Sequence, residues 1–361
     1  MSVNNNIMYN LNLNIELLDE NTKKLEKENK KIDKDVYLVK KEKSFYTEKS
    51  QANISQRNNE ELLFHIRKKD NVYKLESPVP KKNIFQTDIL INNLDNKLWF
   101  ILNSENIEKR EHPLFENDII RLGKLKYIIH EIHFNSDVSD IENRNEINDY
   151  DDVNADSEEI FIKNPEIKKY KNSKFCNSIH ISLCDCDNLI HYKCMEKYIN
   201  EKVQKSENDK KTVKCYSIDN FNCKQCFTPY PIKFFLEKTK ETKYVIPYEI
   251  PNKNSNYIIL ESLGHKKDKN TTKTLYVITL DKDIIRIGRN SNNDIIIDDD
   301  SIGEERHAVI KFEKKYNRII LKSVDNEYET AVLIKKSLKM NEKKIYLQTG
   351  KTKFEANLNE I

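Results

Sequence analysis

All seven cysteines of this chain, and two of its eight histidines, fall between Cys176 and Cys226. On both sides of that block the apolar residues come in short alternating runs. Upstream, between about 61 and 134, these are LLFHI, DILI, LWFILN, DIIRLG and KYIIHEI; downstream, from about 245, they include YIILESL, TLYVITL, DIIRIGR, HAVIKFE, RIILKSV and KIYLQTG. Alternation with period two places every second side chain on one face of a strand, and short runs separated by charged turns build sandwiches rather than helical layers. The pattern therefore predicts a mainly β chain in which two sandwich regions flank a small cysteine-rich element. A helix is expected only in that element, over MEKYINEKV.

Composition narrows the function. The chain has only five glycines in 361 residues, against roughly 25 at average usage, and no glycine cluster of the kind that lets backbone amides approach phosphates. Nucleotide-loop enzymes are thereby disfavoured, and no nucleophile, histidine and acid stand together as a recognisable catalytic constellation. With 62 Lys+Arg against 59 Asp+Glu the net charge is only +3, which argues against a dedicated nucleic-acid binder. No signal-like leader and no run of about 18 apolar residues is visible, so no membrane partner is expected. The expected setting is intracellular, cytoplasmic or cytoskeleton-associated, and reducing, where clustered cysteines point to metal rather than disulfides.

Residues 1–60, rich in Asn and Lys, read as low-complexity and largely disordered. Residues 61–135 form the first β region. The segment 136–170 reads as a linker, because ten acidic residues stand against the single base Arg144 between Asp137 and Glu159. The cysteine element spans 171–235 and the second β region 245–361. The two β regions share a terminal signature: LGKLKYII at 122–129 matches TGKTKFEA at 349–356, which sets Gly123 opposite Gly350 and Tyr127 opposite Phe354. Each is expected to be a hairpin in which glycine supplies the turn.

Within the cysteine element the order is Cys176, His180, Cys184-x-Cys186, His191-x-x-Cys194, Cys215, Cys223-x-x-Cys226. Zinc takes four nitrogen or sulfur ligands, and close pairs such as C-x-x-C let one turn aim two of them at one ion. The expected cofactor is Zn2+, one or two ions. C-x-C, then H-x-x-C, a helix and C-x-x-C resembles the RING-CH zinc finger. That resemblance implies one complete site from Cys184, Cys186, Cys223 and Cys226. It implies a second from His191 and Cys194 with Cys176, where His180 or Cys215 would stand in for the missing member of the first cysteine pair. The same family holds a ubiquitin-conjugating enzyme through the loop around its first zinc, the part that departs here. Met195, Tyr198 and Ile199 are read as packing the helix on the finger's core.

In the second β region, Ile287-Gly288-Arg289-Asn-Ser-Asn-Asn293-Asp294-Ile followed by Glu304-Glu305-Arg306-His307-Ala308 resembles the forkhead-associated (FHA) domain. The resemblance implies an SMAD/FHA-type sandwich whose loops read phosphothreonine. Arg289 would meet the phosphate, His307 would brace the loops, and Ser291 or Ser301 would supply a hydroxyl that the family takes from the position of Glu304. A carboxylate at Glu304 opposes phosphate and is able to pair with Arg289 instead. The first β region resembles a degenerate copy without a phosphate site. Taken together, the chain resembles a group of protist proteins that combine a RING-CH-like finger with a C-terminal FHA domain. The expected function is a non-enzymatic, zinc-containing scaffold or adaptor that binds protein partners, including threonine-phosphorylated ones. The alternative is a RING-CH-type ubiquitin ligase that selects phosphorylated substrates and works with a ubiquitin-conjugating enzyme.

Overall fold

The computed structural model describes residues 9–18, 25–32, 34, 36–41, 44–48, 60–69, 72–77, 94, 97–102, 111–135, 180–181, 190–223, 225–227, 230, 232–236, 241–244, 246, 248–249, 251, 255–263, 272–325, 327–335, 337–340 and 344–360. The expected acidic linker lies outside them. The described residues are mainly strand, with one α-helix, Tyr192–Lys202. No helix among them is long and apolar enough to cross a membrane. Two compact units result: residues 1–82, 94–110 and 329–361 in the first, 83–93 and 111–328 in the second.

The first unit is built from both ends of the chain. One sheet runs, in hydrogen-bonded order, through Thr330–Leu333, Trp99–Ile101, Lys344–Thr349, Thr352–Glu360, Tyr9–Leu18 and Leu25–Ile32. The other runs through Ser337–Lys339, Val72–Glu76, Glu60–Lys69, Val36–Lys41 and Ser44–Glu48. Phe64 meets Phe354 edge to face across the two sheets at 5.1 Å, and the Tyr73 hydroxyl donates to the Ile32 carbonyl at 3.0 Å. Residues 9–48, expected to be largely disordered, thus supply four of these strands. The reason is an alternation that the Asn-rich composition masks. Leu11, Leu13 and Ile15 are buried while Asn12, Asn14 and Glu16 lie half-buried between them.

In the second unit one sheet runs through Gln204–Glu207, Val213–Asp219, Thr272–Thr279, Tyr257–Leu263, Leu125–His133 and Ile119–Leu122. Its partner sheet runs through Ile295–Ile296, Ile284–Gly288, Ala308–Glu313, Arg318–Ser323 and Glu111–Leu114. Pairing is antiparallel except between Ile284–Gly288 and Ile295–Ile296. The units therefore do not follow the division into 61–135 and 245–361. Strands 111–133 close the sandwich begun at Tyr257, and strands 330–360 close the one begun at Tyr9. Period-two patterning says that a segment is a strand; it does not name the strand beside it.

The sheet carrying Tyr257–Leu263 is buried on both faces, and Tyr257 through Glu261 is one continuous buried run. Tyr257, Ile259, Leu275, Val277, Tyr216 and Ile218 share a core with Met195 and Ile199 of the helix and with Phe221, Cys223, Tyr230 and Ile232. Met195 and Ile199, one turn apart, are the buried stripe of that helix, as expected; Tyr198 is exposed instead. The described part of the cysteine element is thus joined to the sandwich: Val213–Asp219 is a strand of its sheet and the helix shares its core.

On three adjacent inner strands of the same sheet a charged cluster is buried. Glu261 contacts both Lys273 and His130, and all three side chains are at most 3% exposed. Burial opposes ionisation of Glu261, but Lys273 and His130 outweigh it and hold the carboxyl at about 2.

Candidate phosphopeptide site

Arg289 stands one residue past strand Ile284–Gly288, where the chain turns through Asn290–Asn293 before strand Ile295–Ile296. Gly288 is required there by a close approach. A Cβ at that position would lie 2.5 Å from the Asn293 side-chain nitrogen. Asn293 uses that nitrogen to staple two loops, donating to the carbonyls of Asn290 and Glu305, each at 2.9 Å. The loop 298–306 is then tied to the strand end by Arg289 N–H to Gly303 carbonyl, 3.1 Å, and Asn290 N–H to Glu304 carbonyl, 2.8 Å.

His307 is fully buried beneath these loops. Its Nδ1 accepts from the Gly303 N–H at 3.2 Å, which leaves the ring proton on Nε2 when the ring is neutral. Its own N–H donates to Ile287, and its carbonyl accepts from Val324 and Asp325. One residue therefore braces the strand end, loop 298–306 and the start of loop 324–328.

The guanidinium of Arg289 is about one-third exposed. Nη1 lies 3.0 Å from Asp300 Oδ1, and Nη2 lies 3.9 Å from Glu304 Oε2. Both carboxylates face water, that of Asp300 fully. Charge-assisted pairs of this kind contribute little to stability at an exposed site, so a better acceptor displaces them at small cost. Asp298, Asp299, Asp300, Glu304 and Glu305 make this rim acidic, relieved by Arg289 and Arg306.

The two candidate serines diverge. Ser291 is exposed on the Asn290–Asn293 turn, and its hydroxyl donates to Asn290 Oδ1 at 3.3 Å. Ser301 points into the sandwich's end, with its Oγ 2.5 Å from Asp299 Oδ1 and accepting from the Lys124 N–H at 2.9 Å. Sequence reasoning missed Asp300, the carboxylate nearest Arg289, and the staple Asn293. Asn293 stood inside the motif and carried a signal; Asp300 carried none, because three successive aspartates at 298–300 do not say which one turns back.

Residues 285–352 match the family model of the FHA domain. No curated protein and no solved structure matches the chain. The FHA domain suggests phosphopeptide-mediated protein interaction, with phosphothreonine-containing partners, and its match covers Arg289, Ser291, Ser301 and His307.

Of the expected zinc ligands, Cys176, Cys184 and Cys186 lie outside the described residues, as do the side chains of His180 and His191. The backbones of His180 and His191 are paired opposite each other in a short antiparallel ladder. Cys194 is exposed on the helix, Cys223 is buried and Cys226 half-buried. Cys223 and Cys226 sit on a tight turn. Phe227 N–H donates to the Cys223 carbonyl at 2.9 Å, Phe227 adopts φ 56°, and the Gln225 N–H points at Cys223 Sγ at 3.4 Å. Two cysteines on one turn supply two of the four ligands that zinc takes. No group of three or more His, Cys, Asp or Glu in metal-binding arrangement occurs among the described residues. Cys215 sits in a strand paired on both sides, opposite Ser206 and Tyr276, and burial raises its thiol pKa.

Proposed function

We propose that the protein is a non-enzymatic interaction scaffold whose FHA domain offers Arg289 to a threonine-phosphorylated segment of a partner protein. The observation that carries the reading is the state of Arg289. It is partly exposed, positioned by two stapled loops, and paired, among the described residues, with the exposed carboxylates of Asp300 and Glu304. Phosphate carries more charge than Asp300 or Glu304 and matches the planar guanidinium fork, so it competes for the same donors. The acidic rim lowers affinity, and it sets a preference for partners whose remaining residues are basic.

The test is titration of the full chain with matched phosphorylated and unphosphorylated threonine peptides carrying flanking lysines. A phosphate preference that vanishes in Arg289→Ala supports the reading. Glu304→Ser, which removes one competing carboxylate and supplies a hydroxyl, should tighten phosphopeptide binding about tenfold, equivalent to one charge-assisted hydrogen bond. Equal binding of both peptides by the unmodified protein would sink it.

In the same scaffold, zinc held by Cys223 and Cys226 together with the cysteines and histidines upstream would brace the segment that covers the sandwich's outer face. When bound, zinc supplies structural cross-linking rather than catalysis, because cysteine-rich closed sites leave no open position. Elemental analysis of the purified chain should find one or two zinc ions, and a zinc-free result would remove this part of the reading.

A further inference from the structure

The sandwich that carries Arg289 is completed by a hairpin from the other side of the cysteine block, Ile119–Leu122 and Leu125–His133, and the turn of that hairpin reaches the loop carrying Asp300 and Glu304. Gly123 sits in this turn with φ 57°, where a side chain is strained. A Cβ there would come within 2.0 Å of the Ser301 carbonyl oxygen and 2.5 Å of its Oγ. The next residue, Lys124, donates its N–H to Ser301 Oγ at 2.9 Å, and Asp299 Oδ1 accepts from both the N–H and the hydroxyl of Ser301, at 2.8 and 2.5 Å. Ser301 is thereby held between the hairpin and its own loop.

Two further contacts fix the hairpin to this unit. Glu111 pairs with Lys322 at 2.7 Å on the strand that leads into it, and His130 joins Glu261 and Lys273 at its far end. The turn therefore has little freedom to shift, and the loop 298–306 rests on a rigid support.

We infer that the turn 122–125 is a positioning element for the phosphopeptide loop, so that recognition at Arg289 depends on residues about 165 positions earlier in the chain. This rests on the FHA reading of the preceding subsection. Ser301 acts through it as a positioning residue and does not touch phosphate. The dependence also means that the segment 245–361, taken alone, lacks part of its own site.

The experiment compares the full chain with Gly123→Ala, Ser301→Ala and Arg289→Ala by two readouts. One is hydrogen-exchange mass spectrometry of residues 298–306; the other is binding to a library of threonine-phosphorylated peptides. Gly123→Ala should speed exchange in 298–306 about tenfold and weaken peptide binding by a similar factor, with Lys344–Glu360 unchanged. Ser301→Ala should do the same more weakly, about threefold, since it removes the hydroxyl contacts and leaves the backbone intact. Arg289→Ala should lose binding without changing exchange. Unchanged exchange in both Gly123→Ala and Ser301→Ala overturns the inference. Faster exchange in a protein that binds no phosphopeptide leaves the support intact and removes the reader function instead. Where near-ultraviolet circular dichroism shows Gly123→Ala unfolded, Ser301→Ala decides.

Discussion

The hairpins at 119–133 and 344–360 share a glycine turn in the left-handed region, at φ 57° for Gly123 and φ 55° for Gly350, and a buried aromatic at the same offset, Tyr127 and Phe354. Their difference lies in the polar residues that follow. In the first, His130 meets Glu261 and Lys273 on the strands it joins. In the second, Glu355 accepts from Asn14 at 3.0 Å and from Asn357 at 2.9 Å and pairs with Lys344 at 3.3 Å. Two apolar faces of the same pattern would fit either sandwich. Polar groups fit best where their partners are, and a mismatch costs most for the fully buried set around Glu261, so these residues discriminate between the two closures.

Breaking the first polar set should have the largest effect. Glu261→Ala leaves Lys273 and His130 without their acid and should cost about 3–5 kcal/mol in denaturant unfolding. The double change Glu261→Leu with Lys273→Met should recover most of that loss, since it removes both charges. A single Glu261→Ala with unchanged stability would show that the cluster selects nothing. Next comes Ile199→Ala, at about 2–4 kcal/mol, which tests whether the cysteine element shares the sandwich's core; a surface-sized effect would separate the two.

Acid sharpens the comparison further. Glu261 is held at about 2, below its ordinary 4.5, so its contribution is complete above about pH 4.5 and is lost as pH falls through 2. Burial works against ionisation of Glu355 too, but Asn357, Asn14 and Lys344 hold it below the usual carboxylate range. It therefore loses its contribution in the same direction. Glu261→Gln should flatten the acid limb of the stability profile much more than Glu355→Gln, because only Glu261 is fully enclosed.

Gly350→Ala should cost about 1 kcal/mol through backbone strain in its turn. Asn14→Ala, which removes one hydrogen bond to a carboxylate that keeps two other partners, should cost about 1 kcal/mol or less. A cost for Asn14→Ala equal to that of Glu261→Ala would erase the distinction between the hairpins.

Much of the candidate site was legible. Gly288, Arg289 and His307 were readable because each answers a local backbone demand: a close approach, a strand end, a loop brace. The contact of Ser301 with Lys124 was not legible, since the two lie 177 residues apart in sequence. The strands of residues 9–48 were obscured by asparagine, which is depleted in strands and favoured in turns yet here takes the half-buried positions of Tyr9–Leu18.

What the sequence determined by itself is local: which segments alternate, where glycine must turn, and that the cysteines are spaced in pairs. Which hairpin closes which sandwich was decided only by the tertiary structure. Backbone ladders pair any strand with any other, and the polar sets that separate the two closures, fully buried His130 with Glu261 and Lys273 and half-buried Glu355 with Asn14, join partners far apart in the chain.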